Sequence, residues 1–246
     1  MIKKRYLFIV SIAALLVSGF AASVAMLTFD GREPDDCTLE FLGNSRKSVK
    51  NRIRRDAERY TVFNEGNSIS IEEWLHWTAR LDSLAPRNVE EIPEESPIEG
   101  AETFEVTLEG YLVAWKYEHS NSIFEKDNDF HLEIASSPDW NSDHVIVEVP
   151  PGPNYCDARR TAWALVQSDA RKAGTSIGST IHLFQSPVKV LVRGYVFLDA
   201  THGQPCDEDN QSFSSCNGGR GIKVRGPSQV KGLWELHPVV ALIPID

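Results

Sequence analysis

The residues of this chain that could do chemistry are Asp129, His131, Glu133, Glu148, His202, Glu235 and His237. Imidazoles beside carboxylates can hold a divalent metal ion and lower the pKa of its bound water, or exchange protons as general acid and base. His131 and Glu133 are separated by one residue, as are Glu235 and His237, the spacing that puts two side chains on one face of a strand. Both pairs oppose the apolar residues of their own strands. Three readings of the group are open. Alternating polar residues on an antiparallel sheet are commonly its wet face, with histidines fixing loops through Asp129 or Asp199. The same residues can contact a ligand or nucleic acid. They can also form a metal or catalytic site, for which Asp129, His131, Glu148, His202, Glu235 and His237 are the candidates.

A second group is aromatic. Tyr111, Trp115, Tyr195 and Phe197, with Arg193 on the face of the last two, would make a stacking platform for bases or sugars if exposed, and ordinary packing if covered. Other chemistries are excluded. No G-x-S-x-G is present, and Gly218-Gly219-Arg220-Gly221 is no phosphate loop, because no strand leads directly into it and no helix follows. The four cysteines contain no C-x-x-C, which argues against zinc held by thiolates. Their even number suits disulfides in an exported chain. Cys206 and Cys216 flank a polar, Gly-rich loop and are expected to pair, leaving Cys37 for Cys156.

The elements that must position these residues are legible from periodicity. Phe104, Val106 and Leu108 alternate with Glu105, Thr107 and Glu109, predicting a long first strand over 104–117, with Gly110 a place to bend or bulge. A second strand starts near Asp129 with Phe130, Leu132 and Ile134 on one face. A third spans 144–149 and ends at Pro150-Pro151. Asp157 opens a helix closed by Gly174, with Ala158, Ala162, Leu165, Val166 and Ala170 inward. A fourth strand covers 188–198, and a fifth 233–243, where Pro238 demands an edge or a bulge.

Ahead of these lie smaller pieces. Lys3, Lys4 and Arg5 precede an apolar or small stretch from Tyr6 to Phe29, followed by Asp30, Glu33, Asp35 and Asp36. This is a membrane anchor or a signal peptide cleaved near Ala25, and either exports the rest. A basic helix is predicted over 45–60, with anionic lipid or nucleic acid as candidate partners. Another helix is predicted over 71–81, capped by the Ser70/Glu73 box. The Pro- and Glu-rich stretch 85–103 reads as a connector. The expected organisation is therefore a leader over 1–29, a small helical segment over 30–84, a connector over 85–103 and a β domain over 104–246. Net charge is −10, which disfavours sequence-independent binding of a phosphate backbone by the whole chain.

Three motifs carry a resemblance: Asp127-Asn128-Asp129-Phe130-His131-Leu132; Val147-Glu148-Val149-Pro150 with Cys156 after it; and Asp199-Ala200-Thr201-His202-Gly203 with Trp234-Glu235-Leu236-His237-Pro238. Together, over about 107–245, they resemble a group of small exported bacterial proteins, and the strand order resembles the OB fold. The resemblance implies a mainly β domain, a five-stranded OB-like barrel with one helix between strands three and four, and no particular activity. A weaker likeness is to staphylococcal-type nucleases, which also carry OB barrels. It departs at the acidic motif, where Pro151 stands in place of a glutamate. The expected function is a non-catalytic binding module at the cell envelope with no cofactor. The competing expectation is a metal-dependent hydrolase, such as a nuclease, using the histidine and carboxylate group.

Overall fold

The structure, a computed structural model, describes residues 37, 46–50, 58–59, 68–85, 91–93, 95–118, 128–199 and 230–246, with only the backbone of 47, 48, 58 and 59. The chain divides into two units, Met1–Pro34 and Asp35–Asp246. The first lies outside the described residues, as do His202, Cys206 and Cys216. Among the described residues no helix is long and apolar enough to cross a membrane.

Five long strands of the sheet form its ring: β1 (Phe104–Tyr117), β2 (Phe130–Ala135), β3 (His144–Val149), β4 (His182–Leu198) and β5 (Trp234–Pro244). Their order is β1-β2-β3-β5-β4, and β4 returns to pair with β1, so the sheet closes into a ring. Among these five strands the pairings are antiparallel except β3 with β5, joined in parallel at Val147 and Leu236. One helix, α3 (Cys156–Ala173), falls between β3 and β4 as expected and ends on left-handed Gly174, φ 63°. The protein is mixed α/β and mainly β.

Period-2 alternation sorts the strands' two faces. Phe130, Leu132 and Ile134 of β2, Val145, Val147 and Val149 of β3, and Val190, Val192, Val196 and Leu198 of β4 all enter one core. Burying each such side chain contributes about 1.5–3 kcal/mol. Two polar groups of α3 join that core. The Arg159 guanidinium lies 5.0 Å from the Phe130 ring centroid and donates to the Val149 carbonyl. Asp169 accepts from the Trp115 indole (2.9 Å) and from the Gln185 amide (2.8 Å).

Two departures from the predicted strands matter. The bulge in β1 falls at Val113, because Leu112 pairs with Ile134 while Ala114 pairs with the adjacent Glu133. The extra residue reverses the alternation, so Leu108 and Leu112 before it and Trp115 and Tyr117 after it all face the core. Gly110, two residues before Leu112, serves close approach: a Cβ there would lie 2.8 Å from the Ala135 carbonyl oxygen. In β5, Gly194 pairs with Val239 and Val196 with Leu236, so His237 and Pro238 together oppose Tyr195. Pro238 thus sits in a bulge, where its missing N–H costs no ladder bond.

Before the ring come α1 (Lys47–Lys50), a two-residue strand Glu58–Arg59, and α2 (Ile71–Leu81). The predicted 45–60 helix does not run its length, since Glu58 and Arg59 are strand, paired in parallel with Phe104 and Glu105. The Ser70/Glu73 capping box of α2 forms as predicted. Trp77 is buried on its inner face while Leu75 is only partly covered. The stretch read as a connector contributes Ile92, Ile98 and Ala101 to the core of the ring. Cys37 and Cys156 form a disulfide with their Cα atoms 5.3 Å apart.

Candidate functional site

The outward face of β2, β3 and β5 carries the polar group, and this face is not wet. Asp129, Glu133, Glu235 and His237 are fully buried, and His131 and Glu148 retain only 4% exposure each. The expected solvated face is instead covered, and the Arg46–Lys50 segment is part of the cover. Val49 there is buried, and Lys50 extends its ammonium to 3.3 Å from Glu148 Oε2.

Cross-strand register brings the group together. His131 of β2 faces Glu148 of β3, and His144 of β3 lies opposite Ala135, two residues along β2 from Glu133. The His144 Nδ1–H donates to Glu133 Oε2 at 2.7 Å. His131 Nδ1 is 3.1 Å from Glu148 Oε1, and its Nε2 is 3.8 Å from Glu133 Oε1. His237, entering from β5, places Nδ1 2.7 Å from Glu148 Oε2 and 3.6 Å from Glu235 Oε1, with Nε2 3.7 Å from Asp129 Oδ2. The result is an alternating chain of imidazoles and carboxylates with Glu148 at its junction. His131 Nε2 and His144 Nε2 are buried with no hydrogen-bond partner among the described residues.

The charges hold one another. Burial would raise Glu133, but the flanking His131 and His144 outweigh it and bring its carboxyl down to about 2. Glu148 is likewise held well below the glutamate range, its burial outweighed by Lys50, His131 and His237. Burial and the Lys50 charge pull His237 down, yet Glu148 and Glu235 raise it to about 9. Burial and Lys116 oppose a charge on His131, and Glu133 and Glu148 raise it nonetheless. For Lys50 the desolvation is overcome by Glu148, Asp129, Glu235 and Asp199, which raise it well above its ordinary value. Each charge is offset by a neighbour in a medium where an unpaired charge would cost several kcal/mol.

Of the sequence candidates, Asp129, His131, Glu133, Glu148, Glu235 and His237 share this network, and His202 lies outside the described residues. Sequence reading missed His144, although it has the same strand parity as Glu148. It also missed Lys50 as the cation facing the group, for which no local signal exists. Among the described residues, two sets of three donors lie close enough for an ion: Asp129, Glu148 and His237, and Glu118, His131 and Glu148, the donor atoms of each within 4.8 Å of one another.

The aromatic platform needs correction. Trp115 is fully buried in the core, turned inward by the Val113 bulge. Tyr195 and Phe197 face outward but are covered, at 4% and 3% exposure. The Arg46 guanidinium lies 5.0 Å from the Phe197 ring centroid, and the His237 ring stands 5.8 Å away. Tyr111 is half-buried, and Arg193 alone of the five is open to solvent. These rings present no open face for a base or a sugar.

Comparison of the chain with protein-family models, with curated proteins and with solved structures finds no match. The site has to be read from its own chemistry.

Proposed function

We propose that the ring is an OB-type barrel and that the chain is a non-catalytic binding module held outside the cytoplasm, at the cell envelope. Supporting the barrel reading are the strand order β1-β2-β3-β5-β4, the parallel pairing of β3 with β5, and the single helix between β3 and β4. Supporting the location are the basic-then-apolar N-terminus and the disulfide, a bond that persists in oxidising compartments.

The observation that carries the non-catalytic reading is burial combined with internal neutralisation. A general acid or base must come within hydrogen-bond reach of its substrate. Here Glu148, the junction of the group, is 4% exposed and already engaged by two imidazoles and the Lys50 ammonium. The test is a hydrolase screen of the purified chain, with single-stranded DNA, RNA and phosphate esters as substrates and added divalent metal, beside Glu148→Gln. The expected result is no turnover that the substitution removes. Hydrolysis abolished in Glu148→Gln, with the fold intact by circular dichroism, would establish the competing metal-dependent hydrolase reading. The one observation favouring that second reading is the closeness of the Asp129, Glu148 and His237 donors.

A further inference from the structure

We infer that the ligand of this module is a divalent first-row metal ion held by Asp129, Glu148 and His237, at a place where Lys50 otherwise supplies the positive charge. The inference rests on the binding-module reading and names its ligand.

The three residues come from three different chain segments: the entry to β2, the end of β3, and β5. The pairing of β3 with both β2 and β5 sets them side by side, and their donor atoms lie within 4.8 Å of one another. His237 Nε2 is 3.7 Å from Asp129 Oδ2, and His237 Nδ1 is 2.7 Å from Glu148 Oε2. Ligands at about 2.0–2.2 Å from a tetrahedral ion stand roughly 3.3–3.5 Å from one another, so the 3.7 Å between Nε2 and Asp129 Oδ2 is close to what zinc needs, while Glu148 exchanges its bond to Nδ1 for the ion. With Nε2 toward the ion, Nδ1 is left for a carboxylate outside the ligand set. Glu235, with Oε1 3.6 Å from Nδ1, is placed for that orienting role.

The second observation is the cation already there. The Lys50 ammonium stands 3.3 Å from Glu148 Oε2, reaching in from outside the ring. Asp129, Glu148 and Glu235 on this face make it a place that demands positive charge, which a mobile ion can supply as well as an ammonium. The donor set narrows the ion's identity. One imidazole with two carboxylates and no thiolate suits Zn²⁺ or Mn²⁺ better than a soft ion such as Cu(I), and the imidazole disfavours Ca²⁺ and Mg²⁺, which take oxygen ligands.

The test uses the full-length, tag-free chain with its disulfide intact, stripped by chelator and titrated with Co²⁺ and Zn²⁺. Visible absorption of bound Co²⁺ and calorimetry of Zn²⁺ are the readouts. One equivalent should bind, with Zn²⁺ displacing Co²⁺. Lys50→Met should tighten binding by about tenfold or more, because the competing ammonium is gone. Asp129→Asn and His237→Gln should weaken it by more than the roughly 10–100-fold lost with an outer-sphere partner. A purely structural ion-pair network predicts no saturable binding in either the native chain or Lys50→Met, and that result overturns the inference even if the ligand variants do not fold. Binding that ignores Asp129→Asn and His237→Gln in folded protein overturns it too. Failure of this site leaves the non-catalytic module standing, whereas Zn²⁺-dependent hydrolysis would keep the site and remove the module reading.

Discussion

Arg46 and Glu102 form the most tightly specified polar contact among the described residues. Both guanidinium terminal nitrogens donate to the Glu102 carboxylate at 2.6 Å, one to each oxygen. The same carboxylate accepts the amides of Ile98 (2.6 Å) and Leu198 (2.9 Å), while Arg46 Nε donates to the Pro93 carbonyl at 2.9 Å. The pair joins the N-terminal segment, the 93–102 stretch and the end of β4 at one buried point. Removing one member of a buried ion pair costs about 3–5 kcal/mol, because the other is left charged and unpaired. We expect Arg46→Met to cost that much in urea unfolding. Arg46→Met with Glu102→Leu should recover only part of it, since the Ile98 and Leu198 amides would then lack acceptors. A loss below about 1 kcal/mol for Arg46→Met would show that the pair does not fasten these segments.

At the scale of elements, the bulges decide where side chains go. At Gly194 a Cβ would lie 2.8 Å from the Pro238 carbonyl oxygen and 3.1 Å from the Val239 Cα, both backbone and unable to yield cheaply. Gly194→Ala should therefore destabilise by about 1–3 kcal/mol and disturb the neighbouring His237, visible as a shift of its imidazole resonances in NMR. An unchanged unfolding midpoint would mean that the bulge absorbs a methyl group. The bulges also explain what the sequence could and could not reveal. The succession of strands along the chain, the helix between β3 and β4 and the α2 capping box are legible because alternation, helix-stop glycine and S-x-x-E are local patterns. The Val113 bulge was not, and one uncounted residue reverses every later assignment, which sent Trp115 to the wrong face. The network residues were legible by parity, and His144 could have been added by the same rule. Their burial was not legible, because it depends on a segment remote in sequence crossing the sheet. Lys50 and Arg46 read as part of a basic helix facing outside partners for the same reason: their acidic partners are not nearby in sequence.

For the whole molecule, the buried network makes stability depend on pH from both sides. Glu133 is lowered from 4.5 to about 2 in the folded protein. Its contribution is complete above the unfolded value and disappears as pH falls through about 2. Glu148 acts in the same direction. His237 is raised from 6.5 to about 9, so its contribution is complete below 6.5 and disappears as pH rises through about 9. His131, also raised, adds to that alkaline loss. Linkage then places maximum stability of the metal-free protein between about pH 4.5 and 6.5, with His237 alone removing on the order of 3 kcal/mol on the alkaline side. Urea midpoints measured in chelator from about pH 3 to 9.5 should trace this dome. His237→Gln should flatten chiefly the alkaline limb and Glu133→Gln chiefly the acid limb, each with a smaller change in the other, because His237 also holds Glu148 down and Glu133 also holds His131 up. A midpoint still rising between about pH 7 and 9 would mean that the imidazoles are not charged in the native state, and that Glu148 is balanced by Lys50 without help from the histidines.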